Sequence, residues 1–273
     1  MQIHEQIESQ IAKRRLARII AIANQKGGVG KTTTAINLAT AMAAVHKQVL
    51  VVDLDPQGNA STGFGLNRND RKINSYHVLI GDAPLPSAIR KTTIPGLSVV
   101  PSGVDLSGAE IELIDMEDRY NRLKLALDSH TEQFDFVLID CPPALGLLTM
   151  NALIAAAAVL VPLQCEFFAL EGISHLVHTI ERIKKSFNPS LEIQGIVLTM
   201  YDQRNNLSGA VANDVRAYFG DIVYNTVIPR NVRVSEAPSH GKPVLLYDTN
   251  CAGAQAYIHL ASEVLKREYR ITG

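Results

Sequence analysis

Apolar runs rich in valine and isoleucine alternate along this chain with longer stretches whose apolar residues recur at helical spacing. Seven runs read as strands: RIIAIAN (18–24), QVLVVDL (48–54), LSVVPS (97–102), DFVLID (135–140), AVLVPL (158–163), IQGIVLTM (193–200) and IVYNTVI (222–228). Helical stretches begin near Gly30, Glu110, Leu147, Leu170, Leu207 and Cys251. Such alternation predicts βαβ units and an α/β fold, a mostly parallel twisted sheet of about seven or eight strands. Several strands are apolar on both faces, so helices must cover both sides. Residues 66–96 break the pattern with Asn, Pro and charges, and loops with short helices are expected there. No linker or repeat divides the rest, which predicts a single domain over 17–273 behind an N-terminal extension, 1–16. That extension has Ile3, Ile7 and Ile11 at helical spacing, then Lys13-Arg14-Arg15. It fits a frayed or docked helix, and also a short basic interaction arm.

Composition narrows the class. Hydrophobic residues at 47% and charged residues at 19% describe a globular chain with a sizeable core. Lys+Arg 26 against Asp+Glu 27 gives a formal charge of -1, so any contact with nucleic acid must come from a local patch. Cys141, Cys165 and Cys251 are odd in number and widely spaced, which argues against a disulfide framework and a zinc site and fits a reducing cytosol. The N-terminus lacks the apolar core of a secretory signal, and the longest apolar run (152–163) is too short to span a bilayer and contains Pro162. The expected location is cytoplasmic.

The chemistry concentrates in NQKGGVGKTT (24–33). Gly27, Gly28 and Gly30 lie between a buried strand and a helix, TTAINLATAMAAV, expected to be amphipathic. That is the setting of a phosphate-binding loop, whose backbone N–H groups and helix N-terminus receive phosphate oxygens. Lys31 would reach the β- and γ-phosphates and the Thr32 hydroxyl would ligate Mg²⁺. The standard pattern wants a glycine at position 25, where this chain has Gln25, and a second lysine, Lys26, stands beside it. Farther on, Asp53 and Asp55 end one strand and Asp140 ends another, at the carboxyl edge where open α/β sheets bind ligands.

KGGVGKTT resembles the deviant Walker A motif of the MinD/ParA class of P-loop ATPases, and Asn24-Gln25 resembles its ParA/Soj partition branch. VLVVDLDPQGNASTG (49–63), FVLIDCPPALG (136–146), EFFALEG (166–172), TMYD (199–202) and IPRNVRVSEAPSHGKPV (228–244) are similar to segments of that family, so the likeness runs from about residue 17 onward. The resemblance implies a P-loop NTPase-type fold, ATP and Mg²⁺ as nucleotide and metal, and a homodimer formed on ATP binding. Lys26 would cross the dimer interface to the partner's ATP. Lys26, Lys31 and Asp55 would be catalytic, Asp55 by positioning the attacking water. Lys26, Gly27, Gly28, Val29, Gly30, Lys31, Thr32 and Thr33 would hold the phosphates, and Pro229 and Asn231 would lie near the purine. Thr32, Asp53 and Asp140 would surround the metal. Glu166 through Gly172 would start a helix or pack a dimer, and Cys141 would be a buried bystander.

The family likeness further implies non-specific binding of double-stranded DNA through Arg204 and Arg233, a nucleoid-associated location, no membrane contact, and hydrolysis stimulated by a ParB-type centromere-binding protein. Charge alone does not reveal that surface: 201–243 holds five basic residues against four acidic ones. The residues by themselves also fit a solvated Lys26, aspartates that cap a turn, and arginines in ordinary surface ion pairs. The alternative reading is a MinD-like membrane-cycling ATPase that positions cell division, which would need a basic amphipathic tail that enters lipid. A metabolic enzyme of the class would want a substrate pocket or cluster-ligating cysteines.

Overall fold

In the computed structural model the described residues are 17–128 and 130–272, with side chains described to Glu268. The extension 1–16, with its isoleucine stripe and Lys13-Arg14-Arg15, lies outside the described residues. The strands are β1 (Arg18–Ile22), β2 (Val49–Asp53), β3 (Arg90–Lys91), β4 (Leu97–Val100), β5 (Phe136–Asp140), β6 (Ala158–Gln164), β7 (Glu192–Tyr201) and β8 (Val223–Pro229). They form one sheet in the order β3-β4-β2-β5-β1-β6-β7-β8. Every neighbouring pair is parallel except β3 with β4. This is the α/β architecture with a mostly parallel sheet that the strand and helix alternation predicts.

The helices are α1 (Lys31–Ala44), α2 (Asn59–Gly63), α3 (Ser75–Ile80), α4 (Leu85–Ala88), α5 (Leu106–Glu112), α6 (Arg122–Asp128), α7 (Leu147–Ala155), α8 (Ala169–Ser186), α9 (Asn206–Phe219), α10 (Val232–Glu236), α11 (Val244–Tyr247) and α12 (Ala252–Thr272). One core joins the sheet to α3 through α9, with Leu85, Leu123, Leu148, Ile173, Leu176 and Val215 among its members. The other core lies against α1, α11 and α12, with Leu38, Met42, Leu245, Tyr257 and Leu260. Helices on both faces explain why β2 and β5 are buried along their whole length.

Two expectations change. Helix α1 is not amphipathic: every residue from Thr34 to Ala43 is buried, because α12 covers the side that faces away from the sheet. Its alanines at 35, 39, 41 and 43 keep it thin enough to fit between the two. In 66–96 the short helices α3 and α4 appear, together with an edge strand, β3, that the hydrophobic pattern hides. It is two residues long, pairs Arg90 with Val99 and Lys91 with Ser98, and carries only charged side chains. Positive charge on a short edge discourages further strand pairing.

Candidate nucleotide site

Strand β1 sits at the centre of the sheet, between β5 and β6, where the chain's connections diverge to either side. The loop after it opens at the carboxyl edge of this switch point, the place where open α/β sheets receive ligands. Gly28 and Gly30 have φ of 75° and 88°. A Cβ at position 28 would meet nothing within 4 Å and one at 30 only Thr199, at 3.9 Å, so glycine is required for the left-handed backbone and not for room. The loop is pinned from outside. Asn24 Nδ2 donates to Pro162 O (2.7 Å), Lys26 N donates to Asn24 Oδ1 (3.0 Å), and Thr199 Oγ1 donates to Val29 O (2.9 Å). Helix α1 starts at once, with Thr34 N on Gly30 O at 2.8 Å.

Inside the loop a cleft of about 250 Å³ is lined by Gly27, Gly28, Gly30, Lys31, Thr32, Thr33 and Asp55. The Lys31 ammonium is buried and donates to Lys26 O at 3.0 Å. Burial lowers its pKa, against the opposing pull of Asp140, Cys141 and Asp55.

Strand register sets Asp53 opposite Asp140, both without solvent exposure. Asp53 is engaged: Oδ2 accepts from Ser61 N (2.8 Å) and Ser61 Oγ (2.7 Å), and Oδ1 from Asp55 N (3.2 Å). Burial still pushes its pKa up to about 6. Its hydrogen bonds therefore hold the 55–61 turn, a structural part beside the metal role expected of it. Asp140 is the opposite case, with neither carboxylate oxygen hydrogen-bonded. Burial first, then Asp53, raises its pKa well above the usual carboxylate range; the nearby Thr32 hydroxyl and Lys31 oppose that rise without closing a bond that meets hydrogen-bond geometry. A buried carboxylate without a partner, next to a hydroxyl and an ammonium, suits Mg²⁺, which takes one or two carboxylates and completes its shell with phosphate oxygens and water. Cys141 is buried, and burial pushes its thiol pKa up, so it offers no nucleophile.

A second cleft of about 220 Å³ shares Gly30, Thr33 and Met200 with the first and adds Pro229 and Asn231. The structure thus brings the two residues expected near the purine to the phosphate loop. Asn231 Oδ1 caps α10, accepting from Arg233 N (2.9 Å) and Val234 N (3.4 Å). Met200, between the clefts, has φ of 51°, a left-handed backbone at a non-glycine residue.

Lys26 points away from Lys31's cleft and forms an ion pair with Glu166 of its own chain; both side chains are partly exposed. Next to Glu166, Phe167 and Phe168 are exposed and stack edge to face. Arg204 is 88% exposed and closes a two-pronged pair on Asp202, Nε to Oδ1 at 3.0 Å and Nη2 to Oδ2 at 2.9 Å. Arg233 pairs with Glu236 (3.1 Å) and Asp248 (3.5 Å). Both arginines are at the surface, and both are neutralised within the chain.

Sequence reasoning missed Ser61, Thr199, Met200 and the Glu166 partner of Lys26. It also missed Arg71, whose Nη1 donates to Gly58 O at 3.2 Å and braces the turn after Asp55. Ser61, Glu166, Thr199 and Met200 all sit in segments that carry the family likeness, which was the one available signal.

With this geometry in place, comparison with known proteins decides the family. An AAA domain family model, AAA_31, matches residues 17–193. The chromosome partitioning protein ParA of Caulobacter vibrioides (strain NA1000 / CB15N) is 63% identical over 253 residues, covering 92% of this chain and 95% of that one. The chain belongs to the ParA/Soj family. The sporulation initiation inhibitor protein Soj of Bacillus subtilis (strain 168) is 51% identical over 249 residues, 91% of this chain and 98% of that one. Among solved structures, a cobyrinic acid a,c-diamide synthase from Mycobacterium smegmatis with bound ADP and magnesium superposes with a TM-score of 0.81 at 36% identity, covering 93% and 96%. This ParA/Soj chain is accordingly a P-loop ATPase, and the Mycobacterium smegmatis neighbour has been solved both with ADP and magnesium and with an ATP analogue and magnesium.

Proposed function

We propose that this ParA/Soj ATPase drives partition of replicated chromosomal or plasmid DNA. Its ATP-bound form pairs into a dimer, the dimer lies on non-specific double-stranded DNA, and a ParB-type centromere-binding protein stimulates hydrolysis and release. The observation that carries the reading is the separation of two lysines on one loop. Lys31 is folded into the phosphate cleft, while Lys26 stands outside it on an ion pair with Glu166. A cation already excluded from its own site is free to serve a second nucleotide across a dimer, so occupancy and pairing become one event. The relatives named above, proteins of chromosome partitioning and of sporulation control, support the biological setting.

In this mechanism the loop N–H groups and Lys31 bind the phosphates, and Thr32 and Asp140 would hold the metal. Mg²⁺, when bound, neutralises charge on the phosphate oxygens. Asp55, on the cleft wall with Oδ1 accepting from Gln57 N at 2.9 Å, orients the attacking water. Asp53 and Ser61 keep the 55–61 turn in place for it. Arg204 and Arg233 supply phosphate contacts that give affinity without sequence choice.

The membrane-cycling reading draws less support. Helix α12 buries Ala254, Tyr257, Leu260, Ala261 and Val264 against the sheet and α1, so the apolar face that would enter lipid is in use.

The test is ATPase rate and oligomeric mass with ATP, plus and minus non-specific DNA and a ParB-type protein, for wild type and Lys26→Ala. Wild type should pair with ATP and accelerate with both additions, and Lys26→Ala should stay monomeric. Pairing and full turnover in Lys26→Ala would sink the reading.

A further inference from the structure

Helix α5 is apolar on two sides. Leu106, Ala109 and, just past its end, Leu113 turn into the core beside α3 and α7. The other side carries Val104 and Ile111 and, in the 3₁₀ turn Leu113–Asp115 that follows, Ile114, exposed by 87%, 72% and 52%. Spacings of seven and three residues set these three on one stripe, with the small Ser107 and Gly108 between them. A helix with apolar side chains on both sides belongs in an interior, and this one has an interior on one side only.

Charge selects what would cover the open side. From 103 to 118 the chain has six acidic residues, Asp105, Glu110, Glu112, Asp115, Glu117 and Asp118, and no basic one, a local charge of -6 on a chain whose formal charge is -1. The nearest side-chain bonds leave that charge in place, because their donors are neutral: Asn74 Nδ2 on Asp105 (3.0 Å) and the Tyr76 hydroxyl on Glu112 (3.0 Å). Arg119, next along the chain, gives its Nη1 to Ile114 O at 2.6 Å and lies over the Tyr120 ring. A second copy meeting this face with its own would set like charges against each other, and nucleic acid would be repelled.

We propose that the exposed side of α5 docks a positively charged, apolar helical segment of a protein partner, and that docking there acts on the nucleotide site. The connections for the second part are direct. Ser102, immediately ahead of the stripe, donates its Oγ to Asp55 O (2.7 Å) and its N–H to Ser61 Oγ (3.0 Å), so it holds the turn that carries Asp55. Glu110 Oε1 accepts from Leu148 N (3.5 Å) at the start of α7, and a Cβ at Gly146 would collide with the Glu110 carboxylate. A load on α5 therefore reaches both segments that follow the carboxylate strands β2 and β5. The proposal needs ATP turnover but neither pairing nor DNA, so it can fail while the partition reading stands.

The test uses the full chain without DNA and, as probe, a peptide of about 18 residues with leucines at i, i+3, i+4 and i+7 spacing and arginines on the flanks. It should bind about tenfold more tightly than the same residues in scrambled order, and bound peptide should slow hydrogen exchange of 104–115. Val104→Ser with Ile111→Ser should weaken binding about tenfold, and both residues are exposed enough to change without harming the fold. Asp115→Lys with Glu117→Lys should reverse the preference, so that a peptide with glutamates in place of the arginines binds better. The arginine peptide should raise wild-type ATP turnover about twofold or more and leave the serine variant at its basal rate. Equal affinity for the scrambled peptide overturns the proposal, as does an unreversed preference in the lysine variant or unchanged wild-type turnover. Protection of 104–115 by ATP alone, with doubled mass, also overturns it, by assigning the face to a second copy.

Discussion

The phosphate cleft and the arginine surface at 201–248 are both built where strands end, and they treat charge in opposite ways. In the cleft the charges are buried and open-ended: Asp140 has no hydrogen-bond partner, and Lys31 has only a backbone carbonyl. On the arginine surface the charges are exposed and closed, Arg204 on Asp202 and Arg233 on Glu236 and Asp248. A buried charge without a partner is costly and persists where a ligand completes it. An exposed pair contributes little and opens cheaply, so it can be exchanged for a phosphate. The cleft is a site set for one ligand, whereas the surface is a contact that salt and neighbours can tune.

The largest consequence belongs to the cleft. Lys31→Ala should lower the rate of phosphate release about 100-fold or more, since a preorganised buried cation on the transferring phosphate is worth that much. A loss below tenfold would place the reacting phosphates elsewhere. Asp140→Asn separates function from stability at the same place. It should abolish the Mg²⁺ dependence of nucleotide binding, measured by titration, while the nucleotide-free protein becomes about 1 kcal/mol more stable to denaturant because an uncompensated buried carboxyl is gone. Destabilisation would mean that Asp140 holds the fold.

Ser61→Ala tests the engaged partner of that pair. It removes the hydroxyl that donates to Asp53 and accepts from Ser102 N at 3.0 Å. Unfolding should become easier by about 1–3 kcal/mol, the cost of leaving buried polar groups short of a partner. The arginine surface should respond more gently. Arg204→Glu should weaken DNA co-sedimentation about tenfold in moderate salt without affecting ATP-induced pairing, and Asp202→Asn, which frees the guanidinium, should strengthen it about twofold. If Asp202→Asn weakens binding, the pair orients Arg204 and does not restrain it.

The two regions were also unequally legible. The phosphate loop could be read because its chemistry is made by consecutive backbone groups, and of its three glycines those at 28 and 30 have positive φ. Asp53 and Asp140 could be placed because apolar runs end on them. Which of the two keeps open oxygens could not, because Ser61 decides it from the following turn. The left-handed Met200 gave no signal, since methionine has no preference for that conformation. Strand β3 was hidden by its length, and the partners of Lys26, Arg204 and Arg233 were hidden because ion pairs follow proximity and not spacing.

The sequence by itself determined the strand and helix order, the phosphate loop with its extra lysine, and the carboxylates at the strand ends, since each follows from local pattern and chain direction. Only the tertiary structure decided that Asp53 is occupied and Asp140 open, that Lys26 rests on Glu166, and that the 229–231 segment closes on the phosphate loop. Those outcomes depend on which side chains burial brings together, and burial is a property of the packed sheet and its two helical layers.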